Sequence, residues 1–347
     1  MSIEKLQPFL APTYENFPKG RTIGVVVLRT TQSETIFRTE GTGEAMCSEY
    51  VQAGILPDNA FPIPRLVMTK RKQVAPERRR GREFLRSHNL LHTSTDKKKK
   101  ILCSLNTNHP CGSCIDCFLY GFAAGKGENV GSQKSRIWTE DAFSVLPTTE
   151  LIGERTLNAV YENGTMRLFG ESEEKTEISK GLNTSEYIKP GVHFLDIVTL
   201  KDVTIDEFRY ALGNILLTTR YGAVSSRVGR IENQIIGIFG GIAELPSSLE
   251  LVQSIYDKLI SDNKSLEHPF NTNSLASVTK TVISSWINRR GVSLQLSDNE
   301  VDSVIIDIDH HWSTDEQESF LKRLDQSYEP LRKNEGDDKK KGKNQEE

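Results

Sequence analysis

The chain has 347 residues, 36% of them hydrophobic, with 44 Lys or Arg against 47 Asp or Glu and a formal net charge of −3. That length and apolar content suit one large core or two smaller ones and exclude a disordered chain. No run of 18 apolar residues exists, and the start M-S-I-E-K-L-Q-P has neither the basic nor the apolar segment of a signal peptide, so no membrane contact and a reducing, cytoplasmic compartment are expected.

In chain order, Thr22 to Thr31 (T-I-G-V-V-V-L-R-T-T) reads as a central strand because it is β-branched and opens after Pro18-Lys19-Gly20. Ser33 to Thr39 suits a returning strand closed by Gly41-Thr42-Gly43, and Cys47 suits a buried apolar position. After the break P-D-N-A-F-P-I-P, from Pro57, a basic tract begins. Between Arg65 and Lys100 there are 13 Lys or Arg against Glu77, Glu83 and Asp96, a local charge of +10 that leaves −13 for everything else. Such a tract can be a solvated face. Set between Leu66-Val67-Met68 and a cysteine cluster, it reads better as an excursion facing a polyanion, with Lys70, Arg71, Lys72, Arg78, Arg79, Arg80 and Arg82 as candidate contacts. The Lys97 to Lys100 run suits an exposed loop.

The fifteen residues C-S-L-N-T-N-H-P-C-G-S-C-I-D-C hold four of the five cysteines. Cys111, Cys114 and Cys117 follow a C-x2-C-x2-C rhythm that points three thiolates at one centre, and tetrahedral Zn2+ needs a fourth ligand. Cys103, returning from the far side of a short loop, is preferred over His109, which needs a sharper turn. The rhythm also opens a ferredoxin-type iron–sulfur run, but the C-x3-C-P that completes one is absent. A closed set of four ligands makes the zinc structural, the staple of an insertion without a core of its own.

Gly125 to Gly131 lacks phosphate-loop spacing and suits a hairpin, and Ser135 to Val145 returns the chain to the sheet. Val192 to Leu200 is a strand, and Thr204 with Glu207 forms a capping box for a helix reaching Arg220. A strand from Gln234 to Ala243, helices after Ser247 and around Leu275 to Trp286, and a final strand from Val301 to Ile308 follow. The tail from 333 to 347 is expected to be disordered. Strands and capped helices in this order point to an α+β fold with a ferredoxin-like sheet, helices on one face and long insertions.

Two segments carry further chemistry. In R-Y-G-A-V-S-S-R-V-G-R, the residues Arg220, Arg227 and Arg230 can fork onto phosphates, Ser225 and Ser226 allow close backbone approach, and Tyr221 can stack on a base. In V-I-I-D-I-D-H-H-W, Asp307, Asp309, His310 and His311 resemble the metal motif of DHH-type phosphoesterases, the basis of the alternative function, a metal-dependent phosphodiesterase or nuclease. The further acidic motifs of such enzymes are missing.

The basic excursion with H-P-C-G-S-C-I-D-C, the strand T-I-G-V-V-V-L-R-T-T, and R-Y-G-A-V-S-S-R-V-G-R before I-I-G-I-F-G-G together resemble the Csc-two family, the CRISPR type I-D backbone subunits of the Cas-seven superfamily. The resemblance implies a hand: an RRM-like palm from 15–60 and 135–325 with a thumb hairpin, and an inserted basic, zinc-binding finger domain from 61–134. It implies copies stacked along a CRISPR guide RNA, presenting it to target DNA or RNA. Cas-ten-type, Cas-five-type and small subunits stand beside them, and no catalytic residue is implied.

Overall fold

A computed structural model describes residues 3–37, 47–96, 99–125, 131–158, 167–169, 176–178, 182–222 and 228–332. Its first strand, Thr22–Thr31 (β1), is followed by Ser48–Gln52 (β2), Pro62–Met68 (β3) and the helix Lys70–Ser87 (α1). Thr93–Asp96 (β4) and Lys99–Leu102 (β5) form a small hairpin before the cysteine-bearing helix Ile115–Tyr120 (α2). Phe122–Ala124 (β6) pairs with Gly131–Gln133 (β7), and Ile137–Thr139 (β8) and Ala142–Pro147 (β9) return to the main sheet. A helical turn, Thr148–Leu151 (α3), leads into nested hairpins of Ile152–Asn158 (β10), Arg167–Phe169 (β11), Thr176–Ile178 (β12) and Leu182–Ile188 (β13). His193–Lys201 (β14), Ile205–Leu217 (α4), Arg220–Tyr221 (β15) and Gly229–Gly241 (β16) complete the palm. Ser248–Ser261 (α5), Thr272–Ile283 (α6), Val292–Gln295 (β17), Asp298–His311 (α7) and Gln317–Ser327 (α8) follow.

The main sheet is antiparallel in the order β15-β16-β1-β14-β9-β3-β2. The path β1, α1, β9, β14, α4, β16, with spatial order β16-β1-β14-β9, is the ferredoxin-like βαββαβ arrangement expected from the sequence. Every residue of β1 is buried. Period-2 alternation sends Ile23, Val25 and Val27 into one apolar core and Val26 and Leu28 into another. In β16 that alternation is broken at Gly237, where the register against Val26 and Val27 shifts by one residue. The bulge lets Ile235 and Ile238 share the first core while Ile236 and Phe239 share the second.

Helices cover both faces. α1, α2, α4, α7 and α8 contribute to the first core, and α5 and α6 to the second, so the one-faced arrangement expected from sequence is corrected. The capping box at Thr204–Glu207 forms as expected, and Ser247 caps the next helix in a second box with Glu250. Three further expectations are revised. The basic tract, expected as an excursion facing a polyanion, is α1, the first helix of the ferredoxin path, and β3 before it is a strand of the main sheet. Val301 to Ile308 is not a strand: Ser297 and Glu300 form a capping box, and Val301, Val304 and Ile308 make the buried stripe of α7. In place of a strand at 33–39, Thr35 makes one isolated bridge to Ile188, residues 38–46 lie outside the described residues, and Cys47 is half-buried. Lys99 and Lys100 sit in β5, while Lys97, Lys98 and the tail from 333 lie outside the described residues.

The close approach of α1 to α4 is made at Gly81, where a Cβ would meet Tyr210 Oη at 2.5 Å and the Asn214 amide at 2.6 Å. Gly81→Ala is therefore expected to cost about 1–3 kcal/mol despite alanine's better helix propensity. Urea unfolding measures it, and a stabilised variant would show that the two helices have room to part.

Candidate metal centre and nucleic-acid interface

Cys103 follows β5, Cys111 ends a loop, and Cys114 and Cys117 stand at the N-cap and in the first turn of α2, so a hairpin and a helix start deliver four thiols to one point. Their sulfurs all lie within 4.8 Å of one another. Cys103–Cys117 measures 3.6 Å, Cys111–Cys117 3.8 Å and Cys103–Cys114 4.0 Å. A tetrahedron of thiolates around a metal at about 2.3 Å has edges of about 3.8 Å, and a disulfide needs about 2.05 Å, so the spacing fits a tetrahedral ion and not an oxidised pair. All four cysteines are buried, and His109 is not among them, which places Cys103 rather than His109 in the set.

The surroundings of Cys103 and Cys111 suit negative sulfur. The backbone N–H of Cys111 donates to Cys103 Sγ and that of Cys114 to Cys111 Sγ, both at 3.3 Å, and Arg82 Nη1 lies 3.6 Å from Cys103 Sγ. Hydrogen bonds from Cys111, Cys114 and Cys117 hold the Cys103 thiol well below its ordinary value, and Cys111 is lowered to about 7. Cys114 and Cys117 are pushed up, first by the hydrogen bond with Cys103.

Two of the candidate phosphate contacts belong to this centre instead. Arg78 donates to both Asp116 oxygens at 3.0 and 2.8 Å and to the Gly121 carbonyl at 3.0 Å, and buried Arg82 shares Asp116 at 2.8 Å. Burial alone would lower both guanidinium pKa values, and Asp116 more than reverses it. These two arginines orient the cysteine loop, a supporting role typical of the groups around metal ligands, and are withdrawn as RNA contacts. The cysteines share one apolar core with β1 and α4, so the segment is built into the palm's first layer.

Tyr221 is also corrected: it is fully buried and offers no stacking face. Its hydroxyl donates to Glu77 Oε1 at 3.1 Å and accepts from Arg29 at 3.2 Å and from Asn233 at 2.8 Å. Arg29 pairs with Asp196 at 2.8 Å and Glu77 at 2.8 Å, while Asn233 donates to the Ile215 and Thr218 carbonyls at the end of α4. This network fixes the turn from α4 into β15. Sequence reading misses it, although lone charges in apolar strands, Arg29 in V-V-V-L-R and Asp196 in H-F-L-D-I-V, are the available signal.

Beside that turn lies a two-part groove. One part, of about 470 Å³, is lined by Pro76, Arg79, Arg80, Thr218, Thr219 and Arg220, and the other, of about 490 Å³, by Gln32, Thr219, Arg230, Glu232 and Asn233. Arg79, Arg220 and Arg230 are exposed, Arg80 pairs with Glu83 at 2.8 Å, and Lys70 and Arg71 are exposed at the start of α1 with Lys72 half-buried. Strand alternation explains the pair at β15: Arg220 points out because Tyr221 points in. Ser225, Ser226 and Arg227 lie outside the described residues.

The Asp-His-His segment makes no metal site among the described residues. Asp307 is bound bidentately by Arg209 at 2.7 and 2.9 Å, and His311 Nδ1 faces the Asp307 carbonyl at 2.7 Å. Asp309 and His310 are exposed on the last turn of α7. The cysteines are the one group of metal-ligating side chains that converges among the described residues.

A family model described as Csc2 Crispr matches residues 9–321. No curated protein matches the sequence. Among solved structures, Csc2 of Thermofilum pendens aligns over 95% of each chain with a TM-score of 0.57 at 18% identity, a likeness of fold. A chain of a CRISPR RNA-guided surveillance complex in its pre-nicking state gives 0.44 at 8% identity, over 77% of this chain and 89% of that one. A chain of another CRISPR RNA-guided surveillance complex gives 0.41 at 10% identity, over 76% and 85%. Among the described residues no helix is long and apolar enough to cross a membrane.

Proposed function

Because the chain belongs to the Csc2 CRISPR family, the match spanning residues 9–321, we propose that it is a Cas-seven-type backbone subunit that holds the guide RNA of a type I-D effector complex. Copies of the chain line up along the RNA and present it to target DNA or RNA beside Cas-ten-type, Cas-five-type and small subunits, in the cytoplasm. The observation that supports this best is the groove at the β15 edge, where Arg79, Arg220 and Arg230 stand exposed around a turn held rigid from beneath by Tyr221. With both sheet faces covered by helices, a strand cannot lie across the sheet as it does on an RRM, and the cations at its edge are the available surface. Lys70, Arg71, Lys72 and Arg80 extend the surface along α1, and Ser225 and Arg227, which lie outside the described residues, are further contacts in this reading.

The palm is 15–60 with 135–325, joined by β3 and α1, and the rest of 61–134 is the finger. The β10–β13 excursion is the thumb. Zn2+ held by Cys103, Cys111, Cys114 and Cys117 is structural: it ties the finger hairpin to α2 and supplies no reaction step.

Affinity for a single-stranded RNA of guide length is expected to fall linearly with log salt, with a slope of about −0.7 per phosphate neutralised. In the variant Arg79→Ala, Arg220→Ala, Arg230→Ala the slope should flatten by about 2, three arginines at about 0.7 each. Wild type should bind with several copies per RNA and little dependence on base sequence. Saturation at one copy per RNA, or an unchanged slope in the triple variant, contradicts the backbone reading.

A further inference from the structure

At the opposite end of β1 from the groove lies a smaller cavity, of about 210 Å³, that the guide-binding reading does not use. Ten strand residues at about 3.3 Å each put the two sites on the order of 30 Å apart. Its walls are the rings of Tyr14 and Trp138 with Pro18, and its charged lining is Glu15, Lys134, Arg136, Lys201 and Asp202.

The walls are built rather than incidental. Trp138 Nε1 donates to the Ser135 carbonyl at 2.8 Å, and Ser135 Oγ donates to the Ile137 carbonyl at 2.7 Å, which fixes the indole plane. Tyr14 is packed by the Arg136 guanidinium 4.1 Å from its ring centre and accepts from Gln133 Nε2 at 3.1 Å. Arg136 in turn is held by both oxygens of buried Glu207 at 3.0 and 2.9 Å. Asp202 accepts the backbone N–H groups of Lys19, Gly20 and Arg21 at 3.1–3.3 Å, pinning the segment that carries Pro18.

Two ammonium groups face the indole: Lys134 Nζ at 4.6 Å and Lys201 Nζ at 5.3 Å from the ring centre, with no carboxylate partner for either among the described residues. Glu15 Oε2 is a buried acceptor without a hydrogen bond, 3.6 Å from Arg21 Nη1, while Oε1 of the same carboxylate accepts from Lys19 Nζ at 3.0 Å. A flat aromatic wall, cations beside it and a carboxylate acceptor in the lining suit one chemical class, a nucleotide: the base against the indole, its N–H groups toward Glu15, its phosphate toward the lysines.

We propose that this cavity takes one unpaired nucleotide of a single-stranded nucleic acid, a second contact separate from the guide groove. A cavity below the roughly 300 Å³ of ordinary cofactor sites has room for one flat group and not for a multi-ring cofactor. The lysine over the indole is a placeholder. An exposed cation–π contact contributes about 0.5–1 kcal/mol and a stacked base about 1–3 kcal/mol, so a base displaces the Lys134 ammonium, which then reaches the phosphate. An acidic peptide would engage the lysines and leave the indole face bare.

Trp138 makes the site readable. Trp286 and Trp312 are 2% and 7% exposed while Trp138 is half-buried, so quenching of tryptophan emission by a stacked base reports on Trp138. Titration of the full chain with tetra-uridylate, too short to bridge to the groove, is expected to give saturable quenching. Lys134→Ala, Lys201→Ala should weaken it at least tenfold without changing the melting temperature, and Arg79→Ala, Arg230→Ala should leave it intact. Trp138→Phe, which keeps an aromatic wall, should retain photocrosslinking of 4-thiouridine RNA to Tyr14 or to the 133–138 segment, and Trp138→Ala should lose it. Absence of saturable quenching, full quenching in the lysine variant, or stronger quenching by a tetra-glutamate peptide overturns the proposal. Because the groove variant is read separately through its salt slope, failure at one site is distinguishable from failure at the other.

Discussion

Replacing Arg29 with Met is expected to remove about 3–5 kcal/mol of stability, the cost of leaving buried carboxylates without their cation. Arg29 is wholly enclosed, and its guanidinium serves Asp196, Glu77, Tyr221 and Asn233 at once. Burial lowers its pKa, and the two carboxylates reverse that and raise it. Burial likewise pushes Glu77 and Asp196 above their ordinary values of 4.5 and 3.8, and attraction to Arg29 restrains the rise. In the variant that restraint is gone, and both carboxyls rise further. A raised acid in the folded state makes the fold bind more protons than the unfolded chain, so its penalty is absent below about pH 4 and grows as pH rises toward neutrality. Urea unfolding at about pH 7 and about pH 4.5 checks the sign: the deficit should be larger at the higher pH. A loss below about 1 kcal/mol at neutral pH would mean the network is dispensable.

The second large effect is expected at Cys114, the fully buried member of the cluster. Thiolate sites of this kind contribute on the order of 10 kcal/mol of folding free energy when the metal binds. Cys114→Ser should release zinc and, because the cluster shares its core with β1, β14 and α4, lower the melting temperature of the whole palm rather than loosen a peripheral finger. His109→Ala should leave both metal content and melting temperature unchanged, since His109 stands outside the four converging thiols. Metal analysis with thermal unfolding, with and without chelator, decides. Full zinc occupancy in Cys114→Ser would remove that residue from the ligand set.

Much of the palm is legible in the sequence because its signals are local. Thr22–Thr31 is rich in β-branched residues, and three of the helix starts carry capping boxes, of which Thr204–Glu207 is read directly from the sequence. The cysteine rhythm locates the centre, and the fourth thiol comes from the side of the loop that needs the gentler turn. α1 is hidden for a physical reason. Pro76 and Gly81 look like helix breakers, and its buried face is made of Gln73, Glu77 and Arg82 as well as Leu85, so no apolar stripe announces a core helix. Its arginines divide between solvent and Asp116, a partner 34 to 38 residues away that no local pattern reveals. The segment at Val301 misleads in the opposite sense. The run V-I-I-D-I imitates a strand, while the spacing of Val301, Val304 and Ile308 and the Ser297–Glu300 box carry the true period.

Because neighbouring residues of β1 belong alternately to two cores, neither helical layer can be lost without exposing half of the strand that the other layer depends on. The two layers are therefore expected to melt in one cooperative transition, with the amides of β1 exchanging hydrogen only through global unfolding.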